Sequence, residues 1–378
     1  MTRRAARFEG IELSPIRRIQ ALATPLTINL GLGEPNIEPD AWLRGLARDA
    51  AAEGSWRYSM NAGLPELRER IAEEEAPHYD PASEICVTAG TEEGLHAVFQ
   101  AYLQPGDEVL VPDPGFLSYP VLAGIAGATP VPYALDPETW DAGLEPLRAA
   151  WSERTRAIVV NSPSNPTGGV LPEATVRAIV DLAAERDALV VSDEVYREIY
   201  YEAAPPSFAG RGGHVIVVSG MSKSHGMTGL RLGWVLASAD VMAAIVTAHQ
   251  YIATCASTFA QELALRILAA PEANAEWLSR VRAQFAGQRR AAVDAAAREL
   301  DVDLAPPAGA FYLFVPVPLC GTEALARALA GDAGVLTIPG SAFGRGGEGF
   351  LRISFAADEE TIARGIERIG RHLRASGR

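Results

Sequence analysis

One residue of this 378-residue chain differs in kind from every other basic side chain: among 33 lysines and arginines, only Lys223 is a lysine. A guanidinium stays protonated and cannot condense with an aldehyde, whereas a primary amine can form an imine once it loses its proton. Salt bridges and solubility survive the exchange of lysine for arginine, but nucleophilic amine chemistry does not. Lys223 closes the run Ser219-Gly220-Met221-Ser222-Lys223 and is followed by Gly229-Leu230-Arg231-Leu232-Gly233.

Residues that could serve such an amine recur after other short apolar runs. Thr88-Ala89-Gly90-Thr91 leads into a helical pattern, where free backbone N–H groups and the helix dipole can seat a phosphate. Asp113-Pro114-Gly115-Phe116 can set an aromatic ring over a planar ligand. Asn161 is followed by Asn165-Pro166-Thr167-Gly168, and Ser192-Asp193-Glu194-Val195-Tyr196 joins an acid to a phenol. Each is weak alone, since such turns and solvated corners are common. Their shared position after successive apolar runs, around the sole lysine, is the informative feature.

The elements that must carry these residues alternate. Buried strands are expected at 85–87, 108–111, 157–161, 188–192, 215–219 and 233–237, with helices at 64–75, 92–103 and 172–186. A strand-like stretch at 26–30 precedes them, after a short polar helix ending near Ala23. Strands apolar on both faces and separated by helices imply a largely parallel sheet covered on both sides, with ligands beyond the C-terminal strand ends. From about Ala243 helices dominate, notably 271–300. The last part mixes strands (310–315, 350–354) with helices (322–330, 359–375). The expected fold is therefore α/β: a large domain with a mostly parallel mixed sheet sandwiched by helices, plus a smaller α+β domain. The expected division is 1–35 joining the small domain, 36–275 as the large domain and 276–378 as the small one.

Composition narrows the class of function. A formal charge of −14 argues against nucleic-acid or acidic-membrane partners, and no stretch approaches the roughly 20 apolar residues of a membrane span. Cys86, Cys255 and Cys320 are distant from one another and read as free thiols in a reducing cytoplasm. No histidine or cysteine spacing suggests a metal. A P-loop needs glycine immediately before its lysine, where Ser222 stands, and a Ser-x-x-Lys hydrolase needs serine at Gly220. The glycines of 340–349 lie outside any βαβ unit and read as a flexible loop.

The segment Ser222-Lys223-Ser224-His225-Gly226-Met227-Thr228-Gly229-Leu230-Arg231-Leu232-Gly233 closely resembles the class I/II aminotransferases of fold type I. The likeness runs from Gly31-Leu32-Gly33-Glu34-Pro35 to Phe350-Leu351-Arg352-Ile353-Ser354-Phe355. It implies pyridoxal 5′-phosphate as cofactor and ping-pong transfer of an amino group from an L-amino acid to a 2-oxo acid, through an internal aldimine on Lys223. Carried over residue by residue, Lys223 is also the acid/base at Cα, Asp193 pairs with the pyridine nitrogen, and Tyr196 and Asn165 donate to the phenolic oxygen. Phe116 stacks on the ring; Gly90, Thr91, Ser222 and Arg231 hold the phosphate. Arg352, with Asn165 and the Gly33 backbone, holds the substrate α-carboxylate. Tyr58 resembles the tyrosine that reaches the phosphate of a neighbouring subunit, implying a homodimer.

Phe116 stands where many relatives carry tryptophan or tyrosine, and Gly220 where some carry a phosphate-binding serine; Glu92 adjoins the phosphate seat and is expected to face away. The competing reading on the same scaffold is a C–S or other β-lyase. A cofactor-sensing regulator would need an added DNA-binding domain.

Overall fold

The computed structural model describes residues 5–317 and 321–376. In chain order the strands are β1 (Ile28–Asn29), β2 (Ile85–Thr88), β3 (Glu108–Asp113), β4 (Thr129–Ala134), β5 (Thr155–Asn161), β6 (Leu189–Asp193), β7 (Val215–Ser219), β8 (Gly233–Leu236), β9 (Tyr312–Pro316), β10 (Val335–Leu336), β11 (Ile338–Pro339) and β12 (Phe350–Ser354). The α-helices are α1 (Pro15–Gln20), α2 (Ala41–Glu53), α3 (Pro65–Glu75), α4 (Thr91–Tyr102), α5 (Ser118–Ile125), α6 (Leu144–Ala150), α7 (Glu173–Glu185), α8 (Ala239–Ala253), α9 (Thr258–Leu268), α10 (Pro271–Leu300), α11 (Thr322–Ala328) and α12 (Glu359–Ala375).

Seven strands form the main sheet in the order β2-β8-β7-β6-β5-β3-β4. Only β8 runs antiparallel to its neighbours; β7, β6, β5, β3 and β4 pair in parallel. Runs such as Val-Ile-Val-Val-Ser in β7 are buried throughout because helices cover both faces. Strand β4, Thr-Pro-Val-Pro-Tyr-Ala, escapes sequence reading because prolines interrupt it. It is tolerated at the sheet edge, where a missing N–H breaks no central ladder.

The second sheet, β11-β12-β9, is antiparallel. Helix α12 packs on α10 through the buried stripe Ile362, Ile366, Ile369 and Leu373, whose spacing is that of one helix face. Asp358 caps α12 by accepting from Thr361 N at 2.8 Å. Strand β1 leaves the N-terminal segment to pair with β10; it is shorter than the 26–30 stretch, and Leu26 is exposed. Helix α10 spans 30 residues and runs across position 275.

The glycines of 340–349 are better packed than a flexible loop. They form two 3₁₀ turns at Gly340–Phe343 and Arg345–Gly347. Gly340 and Gly347 touch backbone to backbone, so a Cβ on either would collide with the other's carbonyl. Gly346 N donates to Asp113 Oδ1 at 2.8 Å, tying this turn to the end of β3. Cys86 is buried and Cys255 partly buried, both as free thiols; Cys320 lies outside the described residues. Among the described residues no helix is long and apolar enough to cross a membrane, and no cluster of residues could hold a metal ion.

Candidate active site

The parallel strands deliver their chemistry to one edge. In register, Asn161 of β5 lies beside Asp193 of β6, and Asp193 beside Val218 of β7. Beyond these ends opens a cavity of about 600 Å³ lined by Gly33, Thr91, Phe116, Asn165, Asp193, Tyr196, Ser222, Lys223, Arg231 and Arg352, all singled out from sequence. Two expected residues do not line it. Gly90 lies behind Arg231, and Tyr58 is 85% exposed on the surface.

Lys223 Nζ donates to Gly33 O at 2.9 Å and lies 5.9 Å from the centroid of the Tyr196 ring. Burial, reinforced by the nearby Arg352 charge, pulls its pKa down to about 8. A larger share of the amine is therefore uncharged and nucleophilic near neutrality than for an exposed lysine.

Asp193 is 4% exposed. Its Oδ2 accepts from Tyr119 OH at 2.8 Å and its Oδ1 from Val195 N at 3.2 Å. Burial pushes its pKa up to about 6, against the pull of the Tyr119 bond. A buried acid of this kind gains most from a cationic partner, which a protonated pyridine nitrogen supplies. Asn161 Nδ2 fixes the same turn by donating to Asp193 O at 2.8 Å.

Arg352 is 1% exposed, and its partners are neutral. It donates through Nη1 to Asn165 Oδ1 at 2.9 Å and through Nη2 to Gly31 O at 2.5 Å, and its Nε has no partner. Its Cζ lies 4.5 Å from the Tyr312 ring and 4.9 Å from the Phe343 ring. Burial lowers its pKa. A buried guanidinium without a carboxylate is costly and calls for an anion. Because Asn165 Oδ1 is engaged, its amide nitrogen is the group left to donate. Tyr196 OH bonds Tyr312 OH at 2.8 Å, and burial raises the pKa of both phenols.

Thr91 opens α4, and Gly90 before it takes φ 91°, a conformation glycine adopts without strain. A Cβ on Gly90 would lie 2.4 Å from Arg231 Nη2, so the guanidinium lies across the glycine. Arg231 takes a left-handed backbone (φ 54°) and donates through Nη1 to Thr228 O at 2.8 Å. A side chain at Gly220 would meet Gly233 Cα at 2.7 Å, and one at Gly233 would meet Thr91 N at 2.8 Å. The lysine loop, β8 and the start of α4 are thus stacked glycine on backbone, which accounts for Gly220 in place of serine. Ser222 is buried, with Oγ 3.5 Å from Leu232 O. A cationic arm over a helix start, an aromatic face at Phe116, a buried acid and a lone amine fit pyridoxal phosphate.

Glu92 departs from expectation. Instead of facing away it lines the cavity, where its Oε1 accepts from Ser118 Oγ at 2.7 Å. Sequence reading also missed Tyr119, Tyr312 and the N-terminal Ser14, Ile16 and Arg17, all of which line the cavity. Tyr119 follows Phe116 by three residues, a spacing that could have flagged it. Tyr312 is a diagonal cross-strand neighbour of Arg352, visible only once β9 and β12 are in register.

Tyr58 belongs to a surface patch. Thr258 Oγ1 donates to Arg57 O at 2.8 Å and Asn61 Nδ2 to Thr254 O at 2.7 Å, which joins the Tyr58 segment to the α8–α9 turn. Trp56 and Met60, two residues to either side of Tyr58 in the chain, are exposed, as is Tyr251 of α8.

The family described as Aminotransferase class I and II matches residues 26–369. The chain is 34% identical to an aspartate aminotransferase of Pyrococcus abyssi, covering 97% of each chain. It is 36% identical to a probable aspartate/prephenate aminotransferase of Aquifex aeolicus, covering 98% of each. Among solved structures, the aspartate aminotransferase of Thermus thermophilus with maleate superposes with a TM-score of 0.90 at 32% identity, over 98% of this chain and all of that one.

Proposed function

The chain belongs to the class I and II aminotransferases, enzymes that move amino groups between amino acids and 2-oxo acids with pyridoxal phosphate, and we propose how its own residues divide that work. When bound, the cofactor supplies an aldehyde to take up the amino group and a ring to hold the electrons left as Cα loses its proton.

Lys223 would hold the cofactor through Nζ, and its free amine would take the proton from the substrate Cα. Its low pKa supports both tasks. Asp193, oriented by Tyr119 and Val195 N, would keep a proton on the pyridine nitrogen of the cofactor. Tyr196 OH and Asn165 Nδ2 would donate to the phenolic oxygen of the cofactor, and Phe116 would pack against its ring. Thr91 N–H, Gly90 N–H, Ser222 Oγ and Arg231 would hold the phosphate.

Arg352 binds the α-carboxylate, with Asn165 and the Gly33 backbone beside it. A carboxylate held by Arg352 would be kept as a bound anion, so that the proton on Cα rather than the carboxylate would be the group to leave. The observation that carries this reading is the buried Arg352 guanidinium whose partners are all neutral.

The exposed patch around Tyr58 supports a homodimer in which Tyr58 reaches the partner's phosphate. Pairing of β1 with β10 supports an N-terminal segment, 1–35, that belongs with the small domain, 276–378, set on the large domain, 36–275. The free thiols Cys86 and Cys255 accord with a cytoplasmic setting.

The test is stoichiometric. An amino acid and 2-oxoglutarate or pyruvate should exchange one amino group for one oxo group. Release of ammonia without amination of the acceptor would overturn the assignment in favour of a lyase.

A further inference from the structure

Behind the phosphate seat lies a buried pair that the mechanism above does not use. His249 of α8 is fully buried, and its Nδ1 is 3.0 Å from both carboxylate oxygens of Glu93, in the first turn of α4. A carboxylate can only accept, so Nδ1 carries the proton and donates. The same carboxylate accepts from Ala89 N through Oε2 at 2.9 Å.

Ala89 immediately precedes Gly90 and Thr91. The carbonyl of Gly90 accepts from Thr88 Oγ1 at 3.1 Å and from Gly94 N at 3.1 Å. The turn is therefore gripped at Ala89 N and at Gly90 O, on either side of the Gly90 N–H. Gly233 closes the other side, since even a Cβ there would press on Thr91 N. His249 Nε2 has no partner although it is buried. An unsatisfied buried nitrogen is costly. Packing alone would be served better by an apolar residue, so the Nδ1 contact is what the imidazole contributes.

We infer that Glu93 and His249 form a positioning pair that holds the Ala89-Gly90-Thr91 backbone in the geometry that receives the cofactor phosphate. Glu93 fixes the turn through Ala89 N–H. His249, anchored in α8, fixes the rotamer of Glu93 by donating to its carboxylate through Nδ1. Neither residue lines the cavity. The inference rests on the seat proposed at Gly90, Thr91 and Arg231.

The test is titration of apoprotein with pyridoxal phosphate and, separately, with pyridoxal, followed by ring absorbance. In Glu93→Ala and His249→Ala the affinity for pyridoxal phosphate should fall about tenfold while that for pyridoxal stays within about twofold, the size expected for one charge-assisted hydrogen bond. Glu93→Gln, which keeps an acceptor for Ala89 N–H, and His249→Gln, which keeps a donor for Glu93, should recover most of the loss. They also carry the test if the alanine variants do not fold. An equal loss for both ligands, or a lowered melting temperature with the preference for the phosphorylated form intact, would reduce the pair to packing and overturn the inference. Arg231→Gln separates the two levels. If it leaves the preference for pyridoxal phosphate untouched, the proposed seat itself is wrong, whatever the pair does.

Discussion

Arg352 Nη1 donates to Asn165 Oδ1 across 2.9 Å, so the buried cation spends one arm on an amide that also faces the cavity. Replacing Arg352 with leucine should lower kcat/KM for every amino-acid substrate by roughly 10²–10⁴-fold, from the loss of two charged hydrogen bonds of about 1.5–3 kcal/mol each. The apoprotein should melt no lower than the parent, because an unpaired buried charge has been removed. Kinetics across a substrate panel decides the matter: a loss confined to one substrate would assign Arg352 to a side chain.

Lys223 makes a labelling experiment unusually clean. Borohydride reduction of the holoenzyme should place the cofactor on one peptide, the one containing Lys223, since the only other amine is the α-amino group of the chain. Lys223→Ala should still bind pyridoxal phosphate without a covalent link and should not turn over. Peptide mapping and a multiple-turnover assay read the two outcomes, and a label elsewhere would sink the assignment.

Capture of the aldehyde by apoprotein should speed up with pH around a midpoint near 8, the lowered pKa of Lys223. In Arg352→Leu the midpoint should move upward, because the Arg352 charge contributes to the depression. Stopped-flow absorbance against pH measures both. A midpoint unchanged by Arg352→Leu would assign the shift to burial alone.

Asp193 links the apoprotein's stability to pH. Its folded pKa of about 6 lies above the unfolded value near 4, so the folded state binds more protons between them. Its contribution is therefore fully present below about pH 4 and is lost as pH rises through 6, on the order of 3 kcal/mol. Glu75, pushed up to about 7 by burial, acts with the same sign. Asp193→Asn should flatten the decline between pH 4 and 6, and Tyr119→Phe should carry it to higher pH by removing the bond that lowers the Asp193 pKa. Denaturant titration of the three apoproteins across this range is the check, and parallel slopes would refute it.

A shared site predicts complementation. Chains carrying Tyr58→Ala and chains carrying Lys223→Ala, mixed and allowed to exchange, should regain activity above the sum of the separate preparations. One mixed site then combines an intact Lys223 with a partner's intact Tyr58. No gain despite proven exchange would remove Tyr58 from the site.

Much of this site was legible before any coordinates. The singularity of Lys223, the strand-end positions of Asn161 and Asp193, and the glycine before Thr91 depend on local rules, because turn chemistry and apolar periodicity act over a few residues. Strand β4 was not legible, since its prolines hide an edge strand whose only justification is its place in the sheet. Tertiary structure alone decided that β8 is inserted antiparallel between β2 and β7. It also decided that Tyr119 supports Asp193 from helix α5, and that Gly31 and Gly33 offer carbonyls to Arg352 and Lys223. Those contacts join residues up to 321 positions apart. No local propensity encodes such a pairing; it follows from sheet order and from the burial that packs one unit against the other.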